Sequence, residues 1–403
     1  MSVHAARATR PLMLASAGIG VVGASFGMAR YGFGLLAPDI RASFQLTNSA
    51  IGLLAAASYV AYLVTSVAAG VLSVRLGART VVAAGGFCAV SGMVVAGVAA
   101  SPGVLFAGLL VAGASAGLVF PPFSDVVAGS LAPERRARVL AAISSGTGWG
   151  VALAAPIAVL AGESWRTAWL LFAVAAALAT VWALAVLPVA GTVAAPGTTV
   201  RLRPSWFVCP RSSPLLTGAL LVGLASSAYW TFAVEHLQRE GGLSTANSRL
   251  VLAVVGLASI GGAASADAVR RLGARAAFVL AALAEAVSLV LLGLAPGALA
   301  VAFASAVLFG AAYNIVVAVE VIWSAQVFAA RPSAGLAAVL VMGALGLLAG
   351  PPILGAVADR TGLAAIFFAG AVLLVLTTAL APREPLGDRK RDHFRAPRPS
   401  YRS

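Results

Sequence analysis

Arg30 is the residue whose type and place most demand chemistry. It lies inside an apolar run ahead of Pro38, and a guanidinium in a membrane helix costs roughly 2.5 to 3.5 kcal/mol even on the gentlest insertion scale. Counting back from Pro38 at ~1.5 Å per residue puts it ~12 Å inside the end of its helix, too deep for easy snorkelling. It has to face protein or water. One reading is a cavity arginine that binds an anionic or polar group of a solute, with Tyr31 beside it. The other is an internal ion pair or carbonyl clamp that only locks helices.

Three acids inside apolar runs come next: Asp125, Glu285 and Glu320. A buried carboxyl is expensive as an anion and cheap as a neutral acid, so each is a candidate to carry a coupling proton. For Glu285, a protonated carboxyl bonded to a neighbouring helix is the plainer account. Tyr59, Tyr62, Trp149, Tyr229, Trp230, Tyr313 and Asn314 could line an amphipathic cavity for the same solute, although each taken singly is more often packing.

Other chemistry finds no support. His4, His236 and His393 are too scattered for one site, no metal constellation stands out, and no Gly-x-x-x-x-Gly-Lys segment cradles a phosphate. Cys88 and Cys209 do not read as a disulfide pair. An enzyme is not expected, nor any cofactor; the energy source would be a proton gradient.

The elements that position these residues are set by composition. Hydrophobic residues make up 61% of the 403 and charged residues 10%, against about 25% charged in a soluble domain. Runs of about 20 apolar residues, each long enough for a ~30 Å hydrocarbon slab, recur throughout. Twelve can be drawn, centred near Val22, Ala61, Ser91, Ala114, Gly150, Ala177, Leu224, Ala258, Leu283, Val307, Leu347 and Leu373. No strand alternation persists, so the spans read as helices. The net charge of +14 lies in alternating gaps rather than on one face, so no nucleic-acid partner is expected. The bilayer and a small-molecule substrate are the partners.

The chain repeats itself. Arg75-Leu-Gly-Ala-Arg79 recurs as Arg271-Leu-Gly-Ala-Arg275, an offset of 196 (271 less 75), and the same offset relates Pro156 to Pro352, Glu163 to Asp359, Asp39 to Glu235 and Gly150 to Gly346. Two equivalent six-helix halves follow, residues 12–188 and 214–382, after an amino terminus of 1–11. They are joined by a Pro/Gly-containing linker, 189–213, and followed by a basic, disordered tail, 383–403. Arginines crowd alternate gaps, leaving Arg41, Arg166, Arg239, Arg249 and Arg360 in the others. That imbalance puts both termini in the cytoplasm. Asp125 and Glu320, nearly equivalent under the repeat, then lie toward the cytoplasmic side. There, with Asp267, they could pair with Arg75, Arg79, Arg271 and Arg275 as a gate.

Twelve helices in two repeated sixes, with a basic gap after the second and eighth, resemble the major facilitator superfamily. Its loop signature, Gly-x-x-x-Asp-Arg-x-Gly-x-Arg, fits Gly70 to Arg79 except that Val74 replaces the acid. Gly355 to Gly362 and Gly162 to Trp169 look like the ends of its helices 11 and 5. Gly27 to Asp39 is similar to the first helix of its YbfB/YjiJ-type branch. The drug-antiporter arginine of helix 4 is absent, Leu109 standing ahead of Gly113. The helix 5 antiporter motif survives only as Gly146 and Gly150, with a version at Gly346, Gly350, Pro351 and Gly355.

The resemblance implies alternating access about a central site lined mainly by helices 1, 4, 7 and 10, in a monomer of a prokaryotic inner membrane. Proton-coupled transport of a small organic solute is expected, with export of amphipathic or drug-like compounds favoured. Import of an organic acid anchored by Arg30 is the alternative. A non-transporting receptor or scaffold of the same fold is the rival from another class.

Overall fold

The computed structural model describes residues 3–188, 212–261, 263–329 and 332–382. Most of the expected linker and all of the tail lie outside them, as do Cys209 and His393. Every regular element among the described residues is helical. The first, α1, runs unbroken through Val3–Val22, a π-helical stretch Gly23–Tyr31, and Gly32–Phe44. Then come α2 (Asn48–Leu76), α3 (Ala78–Gly97), α4 (Pro102–Ser130), α5 (Pro133–Leu160) and α6 (Trp165–Val186). The second half holds α7 (Ser212–Arg239), α8 in two pieces (Thr245–Ile260 and Ala263–Leu272), α9 (Ala274–Leu294), α10 (Leu299–Val327), α11 (Pro332–Thr361) and α12 (Leu363–Thr377).

Eleven of the described helices are long and apolar enough to cross a bilayer, while Thr245–Ile260 is shorter and resumes beyond Gly261. The protein is thus an integral, multi-pass membrane protein. Local chemistry sets the ends. The side chains of Thr47, Ser101, Ser164 and Ser244 each accept from a backbone N–H of the first turn of α2, α4, α6 and α8. Gly77 and Gly273, which turn α2 into α3 and α8 into α9, have φ of 80° and 79°, a region that glycine enters at little cost.

Packing repeats with the sequence. In the first half α1 packs on α5 and α6, α4 on α2 and α3, and α3 on α6. In the second, α7 packs on α11 and α12, α10 on α8 and α9, and α9 on α12. The small residues make this possible: a Cβ on Gly150 would sit 2.6 Å from the carbonyl carbon of Gly23 in α1, so the two backbones touch. Between the halves α1 meets α7, α2 meets α11 and α5 meets α8.

These meetings run from mid-helix to the end away from the termini, here the far end. Gly34 lies against Trp230, Gly52 against Pro351 and Gly355 against Asn48. Toward the terminal end α2 turns exposed, at Val64, Val67, Val71 and Val74. The halves are joined at the far end and part toward the termini.

Candidate functional site

Arg30 sits in the π-helical stretch of α1, 6% exposed. The helix continues to Phe44, beyond the Pro38 end assumed from sequence, so Arg30 lies about 20 Å inside it at ~1.5 Å per residue. Stretches of π-helix are rare and frequent at functional sites, because the widened turn re-aims the side chains that follow. The guanidinium carbon stands 4.2 Å from the centre of the Tyr59 ring and 4.3 Å from that of Tyr62, both on α2. Tyr31 and Phe26 are a little farther off, at 5.3 and 5.6 Å. Aromatic faces attract a cation, yet they supply no counter-charge. The ion pairs of the described residues all involve other arginines or His236, and Arg30 Nε has no hydrogen-bond partner. Among the described residues the ion-pair and carbonyl-clamp alternative for Arg30 therefore finds no partner.

The second half closes over this cage. Trp230 of α7 lies 4.2 Å from Tyr31, ring to ring. Its indole also packs edge-on against Phe309 and Tyr313 of α10, at 5.5 and 5.9 Å. Tyr313 lies close to Tyr31, Tyr59 and Arg30. Tyr229 stacks on Phe309 at 4.1 Å and shares a 3.2 Å hydrogen bond with Ser305. Seven of the expected binding residues, Arg30, Tyr31, Tyr59, Tyr62, Tyr229, Trp230 and Tyr313, thus meet in one cluster that straddles the halves. Its aromatic members come from α1, α2, α7 and α10, so α2 stands where the resemblance implied helix 4. Asn314 is half-buried and donates to the Gly310 carbonyl of its own helix. Trp149 is 42% exposed and takes no part in the ring cluster. Phe26 and Phe309 were not anticipated, since a phenylalanine in an apolar run carries no signal of its own.

The acids separate. Glu285 of α9 and Glu320 of α10 are both buried and within electrostatic reach of each other. The Ser226 hydroxyl of α7 donates to Glu285 at 2.5 Å, while Glu285 Oε2 and Glu320 Oε1 have no partner among the described residues. Asp125, Glu320's counterpart under the repeat, is exposed and in no ion pair among the described residues. Equivalent positions here do not share an environment.

The expected gate is not assembled in this conformation. Arg79 donates to the Leu187 carbonyl at 2.6 Å and Arg275 to that of Pro382 at 3.1 Å, so each ties down the last turn of its own half. Asp267 pairs with Arg270 one turn along. Arg75 and Arg271 are exposed without an ion pair among the described residues. The halves are parted at this end, so these groups have nothing to close against.

Polar locks stand instead at the far end, where the spacing of charges predicts only loop arginines. Arg249 belongs to α8 and is 1% exposed. It donates to Asp39 of α1 at 2.5 Å and to the carbonyls of Ala158 and Gly162 at 2.6 and 2.7 Å. Arg41 of α1 reaches Glu235 of α7 at 3.2 Å and also donates to Asn48. Asp359 of α11 accepts from the backbone N–H groups of Asn48 and Ser49 at 2.8 and 3.0 Å, capping α2 from the opposite half. The repeat that aligned Asp39 with Glu235 was the available signal, since each turns out to bind an arginine of the other half. Among the described residues no group of His, Cys, Asp or Glu could hold a metal ion.

The Major Facilitator Superfamily model matches residues 19–270. A solved nucleoside transporter, NupG, superposes with a TM-score of 0.77 at 14% identity, over 92% of this chain and 98% of that one. A bacterial homologue of the human lysosomal transporter Spinster, inward-facing and occupied, gives 0.73 at 16% over 92% and 95%. A D-xylose–proton symporter gives 0.69 at 16% over 92% and 98%. At these identities the likeness is one of fold. No curated protein matches the chain in sequence.

Proposed function

Because the chain belongs to the Major Facilitator Superfamily, a family of transporters rather than enzymes, we propose that it moves a small organic acid by alternating access, with Arg30 as the anchor. The observation that carries this reading is a guanidinium buried between tyrosine rings with no carboxylate in ion-pair range among the described residues. A buried charge is tolerated when paired, and an incoming anion supplies the missing partner. A non-transporting receptor or scaffold would gain nothing from keeping such a group unpaired. Export of amphipathic compounds is the second reading, favoured by the aromatic walls from Trp230 and Phe309.

Coupling to protons fits Glu285 and Glu320, two buried carboxyls with no cation in ion-pair range among the described residues. Uptake would be powered by the proton gradient without a cofactor. The arginine-rich gaps support cytoplasmic termini in a prokaryotic inner membrane, with bundles 12–188 and 214–382 as the moving bodies of a monomer. The first helix, Gly27 to Asp39, is similar to that of the YbfB/YjiJ-type branch, and membership of that branch is part of this proposal.

The test is thermal stabilisation of the purified protein by organic acids and by lipophilic cations, for wild type and Arg30→Ala. A ligand that binds the folded form raises the midpoint with concentration. Acids are expected to stabilise wild type and not the variant. Stabilisation of both proteins by cations or neutral amphiphiles alone would remove Arg30 as the anchor and leave the exporter reading.

A further inference from the structure

The cluster has a second unsatisfied group. Trp230 is 5% exposed, and its indole Nε1 has no hydrogen-bond partner among the described residues. Buried polar groups are ordinarily satisfied, so each exception calls for a reason. Trp230 lies on α7 and Arg30 on α1, so each half contributes one orphan, and Tyr31 and Tyr313 border both. Both orphans are donors: an indole N–H and a guanidinium N–H have no acceptor capacity. Among the described residues the buried carboxylate oxygens without partners belong to Glu235, Glu285 and Glu320. Glu235 sits in the far-end lock, and Glu320 is two turns beyond Tyr313 along α10.

We infer that the solute is an aromatic carboxylic acid carrying a second hydrogen-bond acceptor, its carboxylate on Arg30 and the second acceptor on the Trp230 N–H. This rests on the reading that the Arg30 cluster is the transport site, and it narrows the acid to a class. A carboxylate answers the guanidinium with charge and geometry together. A planar body suits the site because it is walled by rings from both halves, and offset or edge-on aromatic contacts add to simple burial. The second acceptor satisfies a donor that would otherwise stay unpaired in the bound state. A ligand held by α1 and α7 together also bridges the bodies that move against each other, so both donors are engaged only when the halves meet.

The experiment measures binding of three probes to the purified full-length chain by calorimetry: 4-hydroxybenzoate, benzoate and cyclohexanecarboxylate. The expected order of affinity is the order just given. The aromatic ring is worth about fivefold and the second acceptor about fivefold again. Trp230→Phe keeps the ring and removes the N–H, and it should weaken 4-hydroxybenzoate by about fivefold while leaving benzoate nearly unchanged. If Trp230→Phe does not fold, the ranking on wild type still decides. Equal affinity for cyclohexanecarboxylate and both aromatic acids, all lost in Arg30→Ala, overturns the aromatic class and leaves the organic-acid reading standing. Binding of tetraphenylphosphonium with no binding of any acid overturns the organic-acid reading itself.

Discussion

Arg249→Ala should unlock the far end. In the closed arrangement this side chain is buried, holding Asp39 and the Leu35 carbonyl of α1 and the carbonyls of Ala158 and Gly162 at and just beyond the end of α5, all in the opposite half. Removing one partner of a buried ion pair costs about 3–5 kcal/mol, because the other charge is left without compensation. The whole cost falls on the state in which the halves meet there, since the contacts span them. At about 1.4 kcal/mol per tenfold, the closed-to-open ratio should drop by about a hundredfold to several thousandfold. A closed state that strongly predominates in the wild type would then become the minority.

The assay is a distance distribution between spin labels on Glu163→Cys and Ala246→Cys, one in each half beside the lock, with Cys88 and Cys209 replaced by Ser. The variant should gain a longer-distance population that dominates the wild-type one. Asp39→Asn should give an intermediate shift, because the carbonyl bonds of Arg249 to Leu35, Ala158 and Gly162 survive. Arg41→Ala should shift it less than Arg249→Ala, because Arg41 is partly exposed and Glu235, left buried, keeps Arg239 as a partner. An unchanged distribution in folded Arg249→Ala would refute the argument that this lock sets the balance.

Two further outcomes follow from the packing. Glu320→Gln removes a titrating group without changing the side chain's size. Proteoliposome uptake driven by an imposed pH gradient should therefore be lost, while exchange of solute across the membrane at equal pH persists. Loss of both would make Glu320 a packing residue. Gly150→Val would drive a side chain into the backbone of Gly23, and overpacking of this kind costs about 1–3 kcal/mol or more. Its melting temperature should fall well below that of Gly103→Ala, a position with open space around it.

How much of the site could be read in the chain depends on whether a residue's meaning is local. Arg30 could, because a guanidinium in an apolar run is costly wherever it points. The tyrosines and Trp230 could be gathered as candidates, since an amphipathic ring in a membrane span draws attention. Their meeting could not, because Tyr31 and Trp230 are 199 positions apart (230 less 31) and touch only through the packing of α1 on α7. Trp149 shows the limit from the other side: it has the same residue type as Trp230, yet it lies outside the cluster.

Composition and repetition were enough to establish the class of the protein. Twelve apolar runs, a 196-residue offset and a signature between the second and third helices leave few folds that satisfy backbone hydrogen bonding in lipid. The repeat also carried symmetric details, such as the paired turns at Gly77 and Gly273. Which charges meet was left to the packing of the helices. Arg249 reads as a loop residue and proves to be a buried lock; Arg79 and Arg275 read as a gate and prove to tie down helix ends. The physical reason is that apolar runs encode burial and span length along one helix. The partner of a polar group depends instead on how helices from distant parts of the chain are brought together, and on which end of the bundle is closed.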